Sequence, residues 1–262
     1  MALSSATAAP APKARVKRPS ALAVAWEICK KDARIEWRTR EILWTAGVFS
    51  VVIGFLASMA FHFNRKSSAS TAAATIWITI FFAAVLSFGR VWQREREESA
   101  LTGLLVAPIP RASIFVGKAV ATFAMIMVIE IPLVALCMFV FQIDFTSGVG
   151  LENPEVLAAA RESANRHVPA FLGLLVMGTA ALSFVGTLFG AMTVRTRARD
   201  LVLAIVLFPL LSPVLVCGIG GTRAAFELQP FDTYSAYLGL MGAAVLVSLL
   251  LGIGLFGPLV DD

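Results

Sequence analysis

The sequence predicts an all-α membrane protein: six transmembrane helices, an amphipathic interfacial helix before them, and a cytoplasmic amphipathic helix between spans two and three. Three observations lead there. Of 262 residues 58% are hydrophobic and only 15% charged, with a mean hydropathy of +0.81, against ~25% charged in a soluble domain. Apolar runs long enough to cross a bilayer recur six times, and backbone polar groups in hydrocarbon must be satisfied within such a segment. The basic residues, finally, alternate in density from one connection to the next.

Residues 1–20, MALSSATAAPAPKARVKRPS, are small, basic and proline-punctuated. With no apolar h-region and no cleavage pattern they read as a disordered cytoplasmic tail, a transit peptide being the alternative. Residues 21–262 then form one membrane domain. From Leu22 a stripe of Leu22, Trp26, Cys29, Ala33 and Trp37 has helical spacing, with Lys31, Arg34 and Arg38 opposite. That pattern fits a helix lying along the inner leaflet, with Arg34, Trp37 and Arg38 as its anchoring residues, and it either sets topology alone or also grips a partner.

The six spans are Ile42–Phe63, Ala72–Gly89, Ile114–Phe141, Ala170–Val194, Leu201–Gly221 and Ala236–Val260. Nine Lys and Arg precede the first span, five lie in the Arg90–Lys118 segment, where the last of them stands at the start of span three, and three between spans four and five; the intervening segments hold two, two and one. Seventeen against five puts the N-terminus, the Arg90–Lys118 segment, Arg195–Arg199 and the C-terminus in the cytoplasm. The sequence pI of about 9.4 follows from this asymmetry and does not argue for nucleic acid as a partner.

Between spans two and three lies RVWQREREESALTGLLVAPIPRASIFVGK. Leu101, Leu104 and Leu105 fall at i, i+3 and i+4, with Gly103 among them. Glu95 and Glu98 share an acidic side beside Glu97, and Pro108 and Pro110 stop the helix. A segment of this kind is suited to being pushed by a partner. Gln142–Val168 carries Asn153 as a cap with Pro154 after it and a Glu162/Arg166 pair, which predicts a surface helix over Pro154–Arg166 on the outer side, a docking element or a spacer.

Inside the spans Glu130 is the one carboxylate well within an apolar run. A buried charge there is costly, so it faces protein or water, as a path residue or as a hydrogen-bonded packing contact. Pro132 is placed to kink that helix. Gly186 and Gly190 form a GxxxG that permits close helix approach, and Pro209 and Pro213 share a face of span five.

Cys29, Cys137 and Cys217 form no CxxC, and there is no covalent haem motif. Gly117-Lys118 lacks the rest of a phosphate loop, so any ATP is bound by another chain. His62 and His167 read as polar anchors rather than iron ligands, and Trp26, Trp37, Trp44, Trp77 and Trp92 as interfacial aromatics. No metal site and no catalytic group are indicated.

Three segments in order, KDARIEWRTREIL (31–43), EREESALTGLLVAPIPRASIFVGK (95–118) and RTRARDLVLAIVLFPLLSPVL (195–215), resemble the haem exporter protein B family, permease subunits of the cytochrome c maturation ABC transporter, within the ABC-2 type permease group. The resemblance implies a transmembrane domain without enzymatic activity in the bacterial inner membrane. It implies pairing with a second copy and service by a separate ABC ATPase, two copies of it, on which ATP is bound. A haem-handling membrane subunit and a periplasmic haem chaperone complete the implied complex. Glu95, Glu97, Glu98, Leu101, Gly103, Leu104 and Leu105 would contact the ATPase. Haem contact with this chain is implied by the resemblance and by no residue pattern. An ABC-2 permease for a lipid, glycan or drug is the alternative. A secondary transporter is disfavoured by the single membrane carboxylate and the absence of inverted, interrupted spans.

Overall fold

A computed structural model describes residues 20–61, 68–97, 103, 106–107, 109–143, 145, 154–193 and 199–261. Seven long helices fill those residues: α1 (Ala21–Thr39), α2 (Glu41–Phe61), α3 (Ser68–Glu97), α4 (Arg111–Phe141), α5 (Pro154–Thr193), α6 (Arg199–Phe226) and α7 (Phe231–Asp261). The last five are each long and apolar enough to span a membrane. The α1–α2 pair meets the same test only when taken together, and it is bent by 68° at their junction. The chain is thus a multi-pass all-α membrane protein with five such helices and a sixth candidate span in the bent pair. The predicted tail lies outside the described residues apart from Ser20, whose side chain accepts from the Ala23 amide at 3.2 Å and starts α1.

α3 is the hub, packed on α2, α4, α5 and α6, while α4 touches α1, α2, α3, α5 and α7. The main core joins Ile76, Ile80 and Phe81 of α3 to Ile126 and Leu133 of α4, Leu174 and Leu182 of α5, and Leu211 of α6. A second core closes the end of the bundle where α1 lies, from Ile28, Trp92, Phe115, Leu188 and Phe256.

Large rings are seated where a neighbouring helix lacks a side chain. The Trp77 indole lies against Gly178 of α5 and Gly218 of α6, where a Cβ at either glycine would overlap it, and its Nε1 donates to Thr222 Oγ1 at 2.8 Å. Both Trp77 and Trp92 are fully buried, which corrects their reading as interfacial aromatics. The Trp77 N–H and the rings of both meet partners far along the chain. Trp26, Trp37 and Trp44 do remain exposed. The Gly186/Gly190 pair also differs from expectation: it receives the rings of Phe88 and Trp92 from α3 rather than another backbone.

Two boundaries moved. α3 runs unbroken to Glu97, so Arg90–Glu97 continues the span instead of opening a separate helix. Pro154–Thr193 is one 40-residue helix, with Pro169 inside it, where a surface helix and a span were expected apart. α4 likewise continues through Pro132, and α6 through Pro209 and Pro213.

Candidate functional site

The segment 31–43 folds as an elbow. A helix start leaves four backbone amides without partners, and at α2 two of them are met by a carboxylate from the preceding helix: Ile42 and Leu43 donate to Glu36 Oε1 at 2.7 and 3.0 Å. Glu36 is only 2% exposed, so its charge is spent on the positive end of α2. Arg40 makes the corner with φ 54 and ψ 19, its amide donating to the Glu36 carbonyl. A non-glycine residue in that left-handed region costs ~1–2 kcal/mol, which the double use of Glu36 offsets. Glu41, next in the chain, pairs with Arg90 of α3 at 2.6 Å.

One turn before Glu36, Asp32 makes the bond that fastens α1 to the bundle. Lys118 Nζ of α4 donates to Asp32 Oδ2 at 3.0 Å, with the two side chains 1% and 9% exposed. Lys31 holds the other carboxylate oxygen at 3.1 Å. The Lys118 ammonium also stands 5.3 Å from the Trp92 ring centroid, a cation–π contact from the end of α3. Helix approach makes this reach short: a Cβ on Gly117 would come within 2.6 Å of the Ala25 carbonyl and 2.9 Å of Ile28 Cβ. Gly117 brings α1 down onto α4 and Lys118 ties it there. Trp92 in turn stacks at 6.5 Å on Phe256 of α7, and Phe256 at 5.7 Å on Phe115 of α4. Displacing the end of α3 therefore strains contacts to α1, α4, α5 and α7 together.

Arg34, Trp37 and Arg38 of α1 are all exposed. The stripe itself is divided. Cys29 turns inward with Ala25, Ile28, Asp32 and Glu36, while Leu22, Trp26, Ala33 and Trp37 face outward. The reason is that the inner face is chosen by partners on α4 and α2, which select two carboxylates over three large apolar groups. Lys30 over Trp26 and Arg40 over Trp37, at 5.5 and 5.8 Å, give the outer face alternating cation and ring.

Of the expected contact segment, Glu98, Leu101, Leu104 and Leu105 lie outside the described residues. Glu95 and Glu97 are placed by backbone only, in the last turns of α3. Gly103 is helical and exposed, and Val106 is 82% exposed. Glu130 is buried, and Thr179 Oγ1 donates to its Oε2 at 2.7 Å. His62 lies outside the described residues. His167 is buried with its ring 5.3 Å from that of Tyr234, and among the described residues no group of three or more His, Cys, Asp or Glu converges to hold a metal.

Sequence reasoning missed Asp32, Glu36 and Lys118. A signal existed for Lys118, a cation within the apolar run from Ala112 to Ile129, where burial demands a counter-charge.

A family model described as "CcmB protein" matches residues 23–159 and 163–255. Among curated proteins, "Heme exporter protein B" of Rhodobacter capsulatus is 29% identical over 181 residues, 67% of this chain and 72% of that protein. The protein of the same name from Pseudomonas aeruginosa is 24% identical over 219 residues, 82% and 88% of the two chains. That from Haemophilus influenzae is 26% identical over 217 residues, again 82% and 88%.

Proposed function

The chain belongs to the CcmB protein family, and on that premise we propose how its geometry serves a permease. It is the membrane-spanning permease subunit of the haem-export ABC transporter of cytochrome c maturation, and it carries no nucleotide site of its own. The separate ATPase, in two copies, docks on the cytoplasmic segment with Glu95, Glu97 and Glu98 toward its basic groups and Leu101, Gly103, Leu104 and Leu105 in a groove. A second copy of this chain, a haem-handling membrane subunit and a periplasmic haem chaperone complete the assembly, and α1 rests on the inner leaflet by its Trp and Arg face.

One observation carries the coupling role: the docking segment follows Trp92 directly, and Trp92 lies under the Lys118–Asp32 pair. Force applied after Glu97 enters the bundle through a ring that meets α4, α5 and α7 and, through Lys118, the Asp32 carboxylate of α1. Charge reversal at Glu97 and Glu98, or Leu104→Asp, is expected to release or uncouple the ATPase while the protein stays inserted. Loss of a desolvated apolar anchor costs about 2 kcal/mol or more, roughly a thirtyfold weakening. Copurification of the ATPase and its stimulated hydrolysis are the measurements, and retention of both would reduce the segment to a connector.

The orientation rests on the seventeen-to-five division of basic residues. Single cysteines at Ser68 and Ser163 are expected to react with a membrane-impermeant thiol reagent in intact cells, and one at Ser99 to stay unreacted until the membrane is opened. Labelling of position 99 from outside would invert the topology.

A further inference from the structure

Along Ala21–Thr39 the helix α1 carries four cations and three carboxylates, close to neutral by sequence. Folding separates the two signs. Asp32 and Glu36 turn inward, 8% and 2% exposed, onto Lys118 and the start of α2, which leaves Glu27 as the one exposed carboxylate of α1. Lys30 is held by Glu27 at 2.9 Å and Lys31 by Asp32 at 3.1 Å. Arg34 and Arg38 are both exposed, and neither has a carboxylate partner among the described residues. They stand four residues apart, ~6 Å along the helix axis.

The outer side of α1 has two flanks. At ~100° per residue Leu22, Trp26, Ala33 and Trp37 fall within an arc of ~60°, and Lys30, Arg34 and Arg38 within the adjoining ~80°. All seven are exposed. The depth of the helix is set by its inner face. Ile28 shares a core with Trp92, the last residue of the α3 span, with Leu188 near the end of the α5 span and with Val260, the last of the α7 span. Ala25 meets Gly117, which lies ~9 Å along α4 from Arg111, so α1 rests on the flank of α4 and not beneath its end. The 68° corner after Thr39 lays α1 along the level where the spans stop. At that level an apolar phase and phosphate groups adjoin, and a helix with one aromatic and one cationic flank fits both. A guanidinium without a carboxylate is suited to phosphate oxygens, which its planar fork can meet in pairs.

We propose that Arg34 and Arg38 bind the phosphate of an anionic glycerophospholipid, with Trp26 and Trp37 set against its acyl chains, and that this lipid holds α1 on the bundle from outside as Lys118 holds it from within. The site rests on the reading of α1 as an interfacial helix and adds to it a preference for headgroup charge. A lipid that binds the folded protein stabilises it by mass action, and a cation close to an anionic surface strengthens attachment roughly fivefold.

The test uses full-length protein in phosphatidylcholine nanodiscs with and without phosphatidylglycerol. Phosphatidylglycerol should raise the thermal unfolding temperature by several degrees, and the amount giving half of that gain should rise roughly fivefold for each of Arg34→Gln and Arg38→Gln. Arg223→Gln, at the far end of α6 where α1 makes no contact, should keep the parental response. An equal gain in the Arg34→Gln/Arg38→Gln double variant, or no gain in the parent, would overturn the proposal. Inorganic phosphate in phosphatidylcholine discs should give no gain; the full gain from phosphate would reduce the site to one for free anions and overturn the lipid. A nitroxide on Ala33→Cys, with Cys29, Cys137 and Cys217 replaced, reads the interfacial helix separately. Its relaxation should respond to lipid-soluble oxygen more than to a water-soluble nickel chelate in both kinds of disc. That result without a phosphatidylglycerol gain would leave the interfacial helix standing and refute the headgroup preference. A label reached chiefly by the chelate, or shielded from both agents by copurified protein, would refute the two together.

Discussion

Deletion of the gene for this chain is expected to abolish holocytochrome c while apocytochrome secretion and haem synthesis continue, with haem-loaded chaperone accumulating undischarged. The effect is expected to be total because the chain is the membrane-spanning permease subunit of the haem-export transporter, without a nucleotide site of its own. Haem-staining gels of membrane fractions, with immunoblots for the apoprotein and the chaperone, read the three quantities. Normal c-type cytochromes in the deletion strain would refute the haem-export role and favour another ABC-2 cargo.

Lys118→Met is expected to destabilise the protein by ~3–5 kcal/mol, the loss typical when one member of a buried ion pair is removed. The Asp32 carboxylate, 9% exposed, is left with Lys31 alone, and Trp92 loses its cation. Thermal unfolding in detergent reads the change, and limited proteolysis should gain cuts within 21–39 that the parent lacks, since α1 owes its main packing to α4. Asp32→Leu with Lys118→Met removes both charges and should return stability to within ~1 kcal/mol of the parent. If Lys118→Met alone unfolds at the parental temperature, the pair does not fasten α1.

Five of the spans were legible because crossing a membrane is a local demand on length and polarity. Each helix in the bundle satisfies its own backbone, so Ala170–Val194 could be found without knowing its neighbours. Glu130 was legible for the same reason, since a carboxylate in an apolar run is conspicuous wherever its partner lies. Trp77 and Trp92 were misread because a tryptophan at the end of an apolar run looks alike at an interface and in a socket. What separates the two is a missing side chain about a hundred residues away, at Gly178 and Gly190. The elbow was hidden differently. Asp32 and Glu36 fall within a highly charged stretch, where a solvated face is the usual reading, and only the contact with Lys118 and the start of α2 turns them inward. In α5 the local signal at Pro154 matched a helix start, Asn153 lying outside the described residues, but it carried no information on where that helix would end.

The unbroken length of α5 sets a mechanical relation between two distant regions. Forty residues make a rod of ~60 Å, twice the ~30 Å thickness of the hydrocarbon. Its span begins at His167, so Pro154–Arg166 is an overhang of ~20 Å beyond it. A load at the tip is carried by backbone hydrogen bonds rather than absorbed by a loop, with Pro169 removing one of them. Thr179 lies on the same rod, so a turn of the tip about the helix axis would rotate the hydroxyl that holds Glu130. An object touching the outside of the protein has, through one helix, a handle on its most deeply placed carboxylate.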